Sequence, residues 1–210
     1  MLKPLNPKQK DLIASINSKV ITVALGSAGT GKSYVTSVLA GEKLKNKEVR
    51  KIIITRPTIP VSTSIGFFPG TLDEKMAPWV IPIMSTLIET LGKGFVECAL
   101  KNGNIEIVPF ETIRGRSFEN CFVILDEAQN CTVDEMKAFV TRIGEYSSCA
   151  VTGDLTQSDL KGDNGLLDLL HRVERTEELA RYVGVVKFTP EDIVRSGMCK
   201  LLVMSYEGII

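Results

Sequence analysis

A glycine-rich segment near the amino end constrains the fold more than any other part of the chain. It follows a strand-like apolar run at residues 20–25 and precedes a helical pattern that includes Val35, Val38 and Leu39. The segment reads Gly26-Ser27-Ala28-Gly29-Thr30-Gly31-Lys32-Ser33. A strand, a Gly-x-x-x-x-Gly-Lys-Ser loop and a helix in this order are the signature of a phosphate-binding loop. The sequence therefore predicts a nucleotide-binding α/β domain.

The residue types of this phosphate loop follow from its chemistry. Glycines let the backbone turn so that successive N–H groups face one anion. The next helix directs the positive end of its dipole to the same place. We expect Lys32 to reach the β- and γ-phosphates of ATP, and the Ser33 hydroxyl to ligate Mg²⁺. The predicted nucleotide contacts are Gly26, Ser27, Ala28, Gly29, Thr30, Gly31, Lys32, Ser33 and Tyr34.

Short runs rich in Val and Ile alternate with helical patterns along the chain. The strands are predicted at residues 20–25, 51–55, 105–108, 121–125, 149–152 and 183–188. Such runs suit strands buried on both faces, so we predict a doubly wound, mostly parallel sheet covered by helices.

Capping residues mark where several helices begin. Asn6 is expected to cap a first helix with Pro7 at its first position, and Thr132 forms a capping-box pattern with Glu135. Further helices are predicted at residues 163–173 and 198–206. Residues 59–84 contain four prolines and two glycines, which predicts a long connection with broken helix.

Length and composition restrict the class of protein. The 210 residues suit one domain, which we expect to occupy residues 1–210. No apolar run reaches the roughly 18–20 residues of a membrane span, and no secretory signal is recognisable, so we expect a cytoplasmic protein without a membrane partner. Lys plus Arg and Asp plus Glu both number 25. Any contact with nucleic acid must therefore depend on a local basic patch.

Two carboxylates follow the apolar strand at residues 121–125. Asp126 is placed to hold magnesium, and Glu127 to orient and deprotonate an attacking water. A solvated acidic turn is the alternative interpretation. A carboxylate poised for water favours hydrolysis, whereas a small-molecule kinase would bind an acceptor and exclude water.

A second polar strand end follows residues 149–152. Gln157 is the candidate for sensing the γ-phosphate, with Asp154 in support. A helix-capping turn is also open at this point, because Asp154, Ser158 and Asp159 are good capping residues.

The combined motifs resemble those of the PhoH family. Beside the phosphate loop, the matching segments are Ile54-Thr55-Arg56-Pro57, Gly66-Phe67-Phe68-Pro69-Gly70, Arg114-Gly115-Arg116-Ser117-Phe118, Ile124-Leu125-Asp126-Glu127-Ala128-Gln129-Asn130, Thr141-Arg142-Ile143-Gly144 and Thr152-Gly153-Asp154-Leu155-Thr156-Gln157. The resemblance implies a RecA-like ATPase core similar to one half of a superfamily-one RNA helicase. It also implies a link to phosphate starvation, roles in RNA metabolism and assembly into rings, with hexamers expected.

The resemblance adds one site residue and shows two departures. By analogy with helicases, Gln9 is expected to recognise adenine, and a solvent-facing glutamine on the first helix is the alternative. Some family members carry an amino-terminal nuclease domain, which we do not expect here because the match begins near Met1. The family more often follows the arginine at position 195 with a bulkier residue and a proline, whereas this chain has Ser196 and Gly197.

Helicases complete their ATP site with arginines from a second RecA-like domain. With one such domain expected here, either the site stays open and slow or a neighbouring subunit supplies the arginine. Arg195 is the first candidate, because it follows the last predicted strand and Ser196-Gly197 would let the backbone turn toward a partner; Arg142 is the second. For both, a surface ion pair is the alternative.

Three more arginines, Arg56, Arg114 and Arg116, follow predicted strands. They would either contact RNA phosphates or form structural ion pairs. The sequence thus predicts Mg²⁺-dependent ATP hydrolysis, coupled to RNA binding or remodelling in a homo-oligomeric ring. The alternatives are a P-loop kinase of a small molecule and a nucleotide-dependent, non-catalytic RNA-binding scaffold.

Overall fold

A parallel sheet of six strands forms the centre of the described part of the protein. The computed structural model describes residues 2–57, 72–160, 162–206 and 208–209, with residues 72–77 described by their backbone alone. The strands are β1 (Ile21–Leu25), β2 (Lys51–Thr55), β3 (Ile105–Ile107), β4 (Cys121–Leu125), β5 (Ser148–Gly153) and β6 (Val183–Lys187). Their order is β3-β2-β4-β5-β1-β6, and every neighbouring pair is parallel. The predicted fold class is confirmed.

Helices cover both faces of this sheet. They are α1 (Pro7–Ser18), α2 (Lys32–Lys45), α3 (Leu72–Leu91), α4 (Lys93–Lys101), α5 (Val133–Val140), α6 (Gly165–Arg175), α7 (Glu177–Tyr182) and α8 (Gly197–Tyr206). The predicted caps are present: the Asn6 side chain accepts a hydrogen bond from the Gln9 N–H, and Thr132 and Glu135 form a capping box. Helix α6 begins later than predicted because the Asn164 side chain caps it.

The broken connection predicted for residues 59–84 is wrong where the structure describes it. Residues 59–71 lie outside the described residues, but α3 runs continuously through Pro78 and Pro82. Both prolines are exposed, whereas Val80, Ile83 and Leu87 are buried. A proline removes one helical hydrogen bond, and the burial of this apolar stripe against the core offsets that loss. Helices α4 and α7 were not predicted.

Two apolar layers bury the sheet. On one face, α1 to α4 contribute Leu12, Val35, Leu87 and Val96 to a core over Ile52, Ile54, Phe122 and Ile124. On the other face, α5 and α6 contribute Met136, Phe139, Leu166 and Leu169 to a core over Val23, Val123 and Val151. Among the described helices, none is both long and apolar enough to cross a bilayer.

The strand order determines where the functional loops meet. Strand β5 lies between β4 and β1, and β6 lies on the other side of β1. Because the carboxyl ends of parallel strands share one edge of the sheet, the loops after β4, β5, β1 and β6 lie side by side. These loops begin at Asp126, Asp154, Gly26 and Phe188, respectively.

The close contact between α5 and α6 gives a test of the packing. A Cβ atom added at Gly165 would collide with the Thr132 carbonyl oxygen and lie 2.7 Å from the Met136 Cβ atom. We expect Gly165→Ala to lower the free energy of unfolding in urea by about 1–3 kcal/mol, the typical effect of overpacking. Gly162→Ala is the control, because an added Cβ there has nothing within 4 Å. Equal stabilities of the two variants would contradict this packing.

Candidate active site

The phosphate loop follows β1 and turns back through left-handed glycines. Gly26, Gly29 and Gly31 have φ angles of 135°, 86° and 88°. A Cβ atom at Gly26 would lie 2.5 Å from the Phe188 carbonyl oxygen. Both the backbone conformation and the lack of space therefore require glycine at position 26. Gly31 directly precedes α2, so the loop ends at the positive end of that helix.

The Lys32 ammonium lies inside this loop. It donates a hydrogen bond to the Ser27 carbonyl oxygen at 2.8 Å and another to the Gly26 carbonyl oxygen. Burial lowers the pKa of Lys32, and the carboxylates of Asp154, Asp126 and Glu127 oppose this effect. The loop thus holds a partly desolvated cation next to three anions, where electrostatic interactions are stronger than in water.

A hydroxyl and a carboxylate meet beside Lys32. Ser33 Oγ donates to Asp126 Oδ1 at 3.1 Å, and the Thr152 hydroxyl donates to the same oxygen. Mg²⁺ prefers oxygen ligands of these types, taking one or two from the protein and others from phosphates and water. Among the described residues no cluster of three or more His, Cys, Asp or Glu residues suits a metal. The Ser33 hydroxyl and the Asp126 carboxylate are oxygen ligands of the type that fits Mg²⁺.

Glu127 has a strained backbone and a held carboxylate. Its φ and ψ angles are 54° and 42°, a left-handed conformation that costs about 1–3 kcal/mol for a residue other than glycine. Gln129 Nε2 donates to Glu127 Oε2 at 2.6 Å, and Arg56 Nη2 lies 3.9 Å from Oε1. This geometry keeps the carboxylate in the cleft, as a general base requires.

Gln129 is a site residue to which the sequence analysis assigned no role. Its side chain is buried, and its Oε1 accepts a hydrogen bond from the Asp154 N–H at 3.0 Å. Since its Nε2 binds Glu127, the amide bridges the loops after β4 and β5. The Asp126 to Gln129 tetrad is visible in the sequence, but this bridge depends on the adjacency of β4 and β5.

The loop after β5 contains a capping interaction and a hydrogen bond to Gln157. Asp154 Oδ1 accepts from the Thr156 N–H at 3.0 Å, which is a capping interaction, and its Oδ2 accepts from Gln157 Nε2 at 2.9 Å. Gln157 also lines the nucleotide cleft. The buried carboxylate of Asp154 thus orients the Gln157 amide. The role of Gln157 as a γ-phosphate sensor stays a prediction.

Gln9 lies beneath the phosphate loop. It is 3% exposed, so the alternative of a solvent-facing glutamine is wrong. Its Nε2 donates to the Thr30 carbonyl oxygen at 3.0 Å, and its Oε1 accepts from the Leu5 N–H at 2.9 Å. Recognition of adenine by Gln9 stays a prediction.

Arg195 lies against the phosphate loop of its own chain. The Val194 N–H donates to the Gly29 carbonyl oxygen at 3.0 Å, and a Cβ atom at Gly29 would lie 3.0 Å from Arg195 Cδ. Arg195 is thus close enough to act on its own phosphate loop, and its predicted action on a neighbouring subunit stays a prediction. Strand β6 pairs with β1, so the segment that follows β6 reaches the loop that follows β1.

The other candidate arginines separate into two groups. Arg56 lines the cleft, whereas Arg116 pairs with Glu106 at 2.8 Å and Arg114 is exposed outside the lining of the cleft.

The Arg142 carbonyl oxygen accepts from the Phe118 N–H, ahead of β4 and β5. Arg142 therefore lies at the amino edge of the sheet, opposite the phosphate loop, and its buried Nε has no partner among the described residues. Residues 66–70 of the family-like pattern lie outside the described residues.

Most of the predicted site residues line one cleft of about 420 Å³. Its described lining includes Ala28, Gly29, Gly31, Lys32, Ser33, Tyr34, Arg56, Asp126, Glu127, Asp154, Gln157 and Arg195. A larger groove of about 810 Å³ lies along α8 and shares Gln157, but its described lining has no charged residue. Of these two described spaces, the smaller cleft has cationic side chains that suit phosphate groups.

Comparisons with known proteins identify the family of the chain. The family model described as "PhoH-like protein" matches residues 1–207. The chain is 42% identical over 205 residues to "Protein PhoH" of Escherichia coli K12, which covers 96% of this chain and 57% of the relative. It is 35% identical over 199 residues to a "PhoH-like protein" of Bacillus subtilis, covering 95% and 62%. The chain thus spans about three-fifths of the length of these relatives.

Solved structures share the fold at low sequence identity. The UvsW helicase from bacteriophage T4 superposes with a TM-score of 0.52 at 13% identity, over 90% of this chain and 61% of that one. The large terminase from a thermophilic bacteriophage superposes with a TM-score of 0.59 at 11% identity, over 96% and 50%. Fold, loop geometry and sequence similarity lead to one conclusion: the chain belongs to the PhoH family and has a RecA-like P-loop NTPase fold.

Proposed function

We propose that the protein hydrolyses ATP to ADP and phosphate with Mg²⁺ as cofactor. The observation that carries this proposal is the position of Glu127, whose carboxylate lines the same cleft as Lys32 and the Ser33–Asp126 pair. A base beside a phosphate-binding loop suits the activation of water.

Each residue then has a defined role. The loop N–H groups and Lys32 bind the β- and γ-phosphates, with the Lys32 ammonium exchanging loop carbonyls for phosphate oxygens. Mg²⁺, held by Ser33 and Asp126, would neutralise phosphate charge. Glu127 orients water and accepts its proton as the γ-phosphate is transferred to that water. Gln157 contacts the γ-phosphate, while Gln9 and Tyr34 lie on the side we assign to adenine.

Two arginines act at different edges in this proposal. Arg195 acts in cis, because it lies beside Gly29 of its own chain. Arg142 acts in trans, because it lies at the amino edge, the edge that a head-to-tail ring presents to the next subunit's nucleotide. Assembly is supported by α8, where Met198, Leu201 and Tyr206 are exposed. We propose a homo-oligomeric, hexameric ring in the cytoplasm.

RNA is the macromolecular partner in this proposal, and the family resemblance is its main support. The chain has no net charge, so a few arginines at the cleft or the edge strand would carry the binding. Arg56 and the exposed Arg114 are better placed than Arg116, whose charge is paired with Glu106. Such binding would weaken steeply with salt.

Product analysis with γ-labelled ATP tests the reaction itself. We expect free labelled phosphate from the purified protein and none from Lys32→Ala, because the variant lacks the cation that meets the phosphates. Lys45→Ala, at the exposed far end of the same helix, should keep the normal rate. A labelled small-molecule acceptor would instead establish the kinase alternative. Turnover with and without single-stranded RNA separates a coupled ATPase from a non-catalytic scaffold, which would bind both ligands and release no phosphate.

Glu127→Gln should separate binding from chemistry. The amide keeps the size and the hydrogen bonding of the side chain but cannot accept the proton, so the rate should fall by about 10²-fold or more. The dissociation constant for ATP, measured by calorimetry, should stay within a few-fold. Glu174→Gln on the exposed face of α6 is the control. A parallel loss of ATP affinity would make Glu127 a structural residue.

Mixing experiments distinguish the two arginines. An arginine that stabilises the transition state is worth about 10³–10⁵-fold in rate, so Arg142→Ala and Arg195→Ala should each be slow alone. Mixing Arg142→Ala with Lys32→Ala chains should restore part of the activity, since some interfaces pair an intact loop with an intact Arg142. Mixing Arg195→Ala with Lys32→Ala should restore none, because each intact loop lacks its own Arg195. Native mass spectrometry verifies that mixed rings form, and recovery with the Arg195 variant would contradict the cis assignment.

A further inference from the structure

Arg56 is the one cation of the described cleft without a role in the steps of the proposed reaction. It follows β2, the strand next to β4, and its side chain is 20% exposed. Its Nη2 lies 3.9 Å from Glu127 Oε1, too far for a hydrogen bond but close enough for an ion pair. The guanidinium therefore attracts Oε1, the carboxylate oxygen that Gln129 does not bind.

The same guanidinium rests on an aromatic side chain of α3. Its central carbon lies 5.1 Å from the centroid of the Trp79 ring, within the range of a cation–π interaction. Its Nη1 lies at 3.5 Å from the Trp79 carbonyl oxygen. Trp79 is 44% exposed and is the single tryptophan of the chain. One arginine thus links the base to the surface of α3.

The two groups that hold Glu127 differ in how firmly they are fixed. Gln129 is buried and its Oε1 is engaged by the Asp154 backbone, so its position is set by the sheet. Arg56 is longer, partly exposed and held by Trp79, whose helix packs on α2 and follows residues 58–71 in the chain. Arg56 is therefore the group that can orient Oε1, the Glu127 oxygen that Gln129 does not bind.

We propose that Arg56 is a positioning residue that orients the Glu127 carboxylate toward the attacking water, and that Trp79 holds Arg56 in place for this task. The inference rests on the proposed ATP hydrolysis. It makes α3 part of the catalytic apparatus, because a displacement of Trp79 changes the orientation of the base without touching the phosphate loop.

The first test compares turnover and binding in Arg56→Gln and Trp79→Leu. We expect kcat to fall about tenfold or more in Arg56→Gln, and in the same direction but less in Trp79→Leu, with the ATP dissociation constant within about threefold of normal. Trp79→Phe, which keeps an aromatic face under the guanidinium, should recover most of the rate lost in Trp79→Leu. Arg175→Gln on the exposed end of α6 is the matched arginine control. A loss of ATP affinity equal to the loss of kcat would make Arg56 a phosphate ligand and overturn the proposal.

A double variant tests whether Arg56 acts through Glu127. Residues that act as a unit are not additive, so Arg56→Gln combined with Glu127→Gln should be no slower than Glu127→Gln alone. Multiplicative losses would show that Arg56 acts independently of the base, against the proposal.

Tryptophan fluorescence reports on the contact without any turnover. Because Trp79 is the single tryptophan, Arg56→Gln should shift its emission, whereas Arg175→Gln should leave the spectrum unchanged. An unshifted spectrum would mean that Arg56 does not rest on Trp79.

If the unaltered protein releases no phosphate from ATP, the proposed hydrolysis fails. If it turns over normally and Arg56→Gln does too, only the inference on Arg56 fails.

Discussion

The pair of hydrogen bonds to Asp126 Oδ1 is the interaction on which the arrangement of the site depends. Ser33 donates from the first turn of α2, and Thr152 donates from β5. One carboxylate oxygen therefore ties together the phosphate loop, the end of β4 and the end of β5. Strand β5 separates β1 from β4 in the sheet. The Asp126 oxygen is therefore the point where α2, which follows the phosphate loop, contacts the carboxylates that follow β4. The same oxygens match the ligand preference of Mg²⁺, so the structural junction and the expected metal position coincide.

The charges of the cleft are balanced in number. Its described lining has three cations, Lys32, Arg56 and Arg195, and three anions, Asp126, Glu127 and Asp154. The cation of Lys32 and that of Arg195 both lie at the phosphate loop, where a triphosphate would bind. The anions lie in the loops after β4 and β5, where a metal ion and a water would bind. These carboxylates favour a ligand that carries its own metal, because a bare polyphosphate would face them unscreened.

The sequence predicted the features that depend on neighbouring residues. It did not predict those that depend on the order of the strands or on tertiary packing. The strand at residues 121–125, the capping box at Thr132 and the phosphate loop depend on neighbouring residues, and the structure contains all three. Helix α3 was missed because Pro78 and Pro82 are strong local signals against a helix, whereas the buried stripe that stabilises it is a tertiary effect. The position of Arg195 at its own phosphate loop could not be predicted, because the sequence does not reveal that the last strand pairs with the first. The roles of Gln129 and Arg56 depend likewise on contacts between loops that are distant in the chain.

A polar network extends from Glu127 to α6. Gln129 joins Glu127 to the Asp154 backbone through its side chain. Its carbonyl oxygen accepts from Ser158 Oγ at 2.9 Å and from Asn164 Nδ2 at 2.8 Å. Asn164 in turn caps α6, with its Oδ1 accepting from the Leu166 N–H at 2.9 Å. Because buried hydrogen bonds are costly to break, a displacement of the loop that carries Gln157 changes the cap of α6 as well as the position of the base. Glu127 is therefore part of two chains of contacts. One runs through the buried Gln129 to α6, and the other runs through the partly exposed Arg56 to α3. The left-handed backbone at Glu127 places its carboxylate where the two chains of contacts meet.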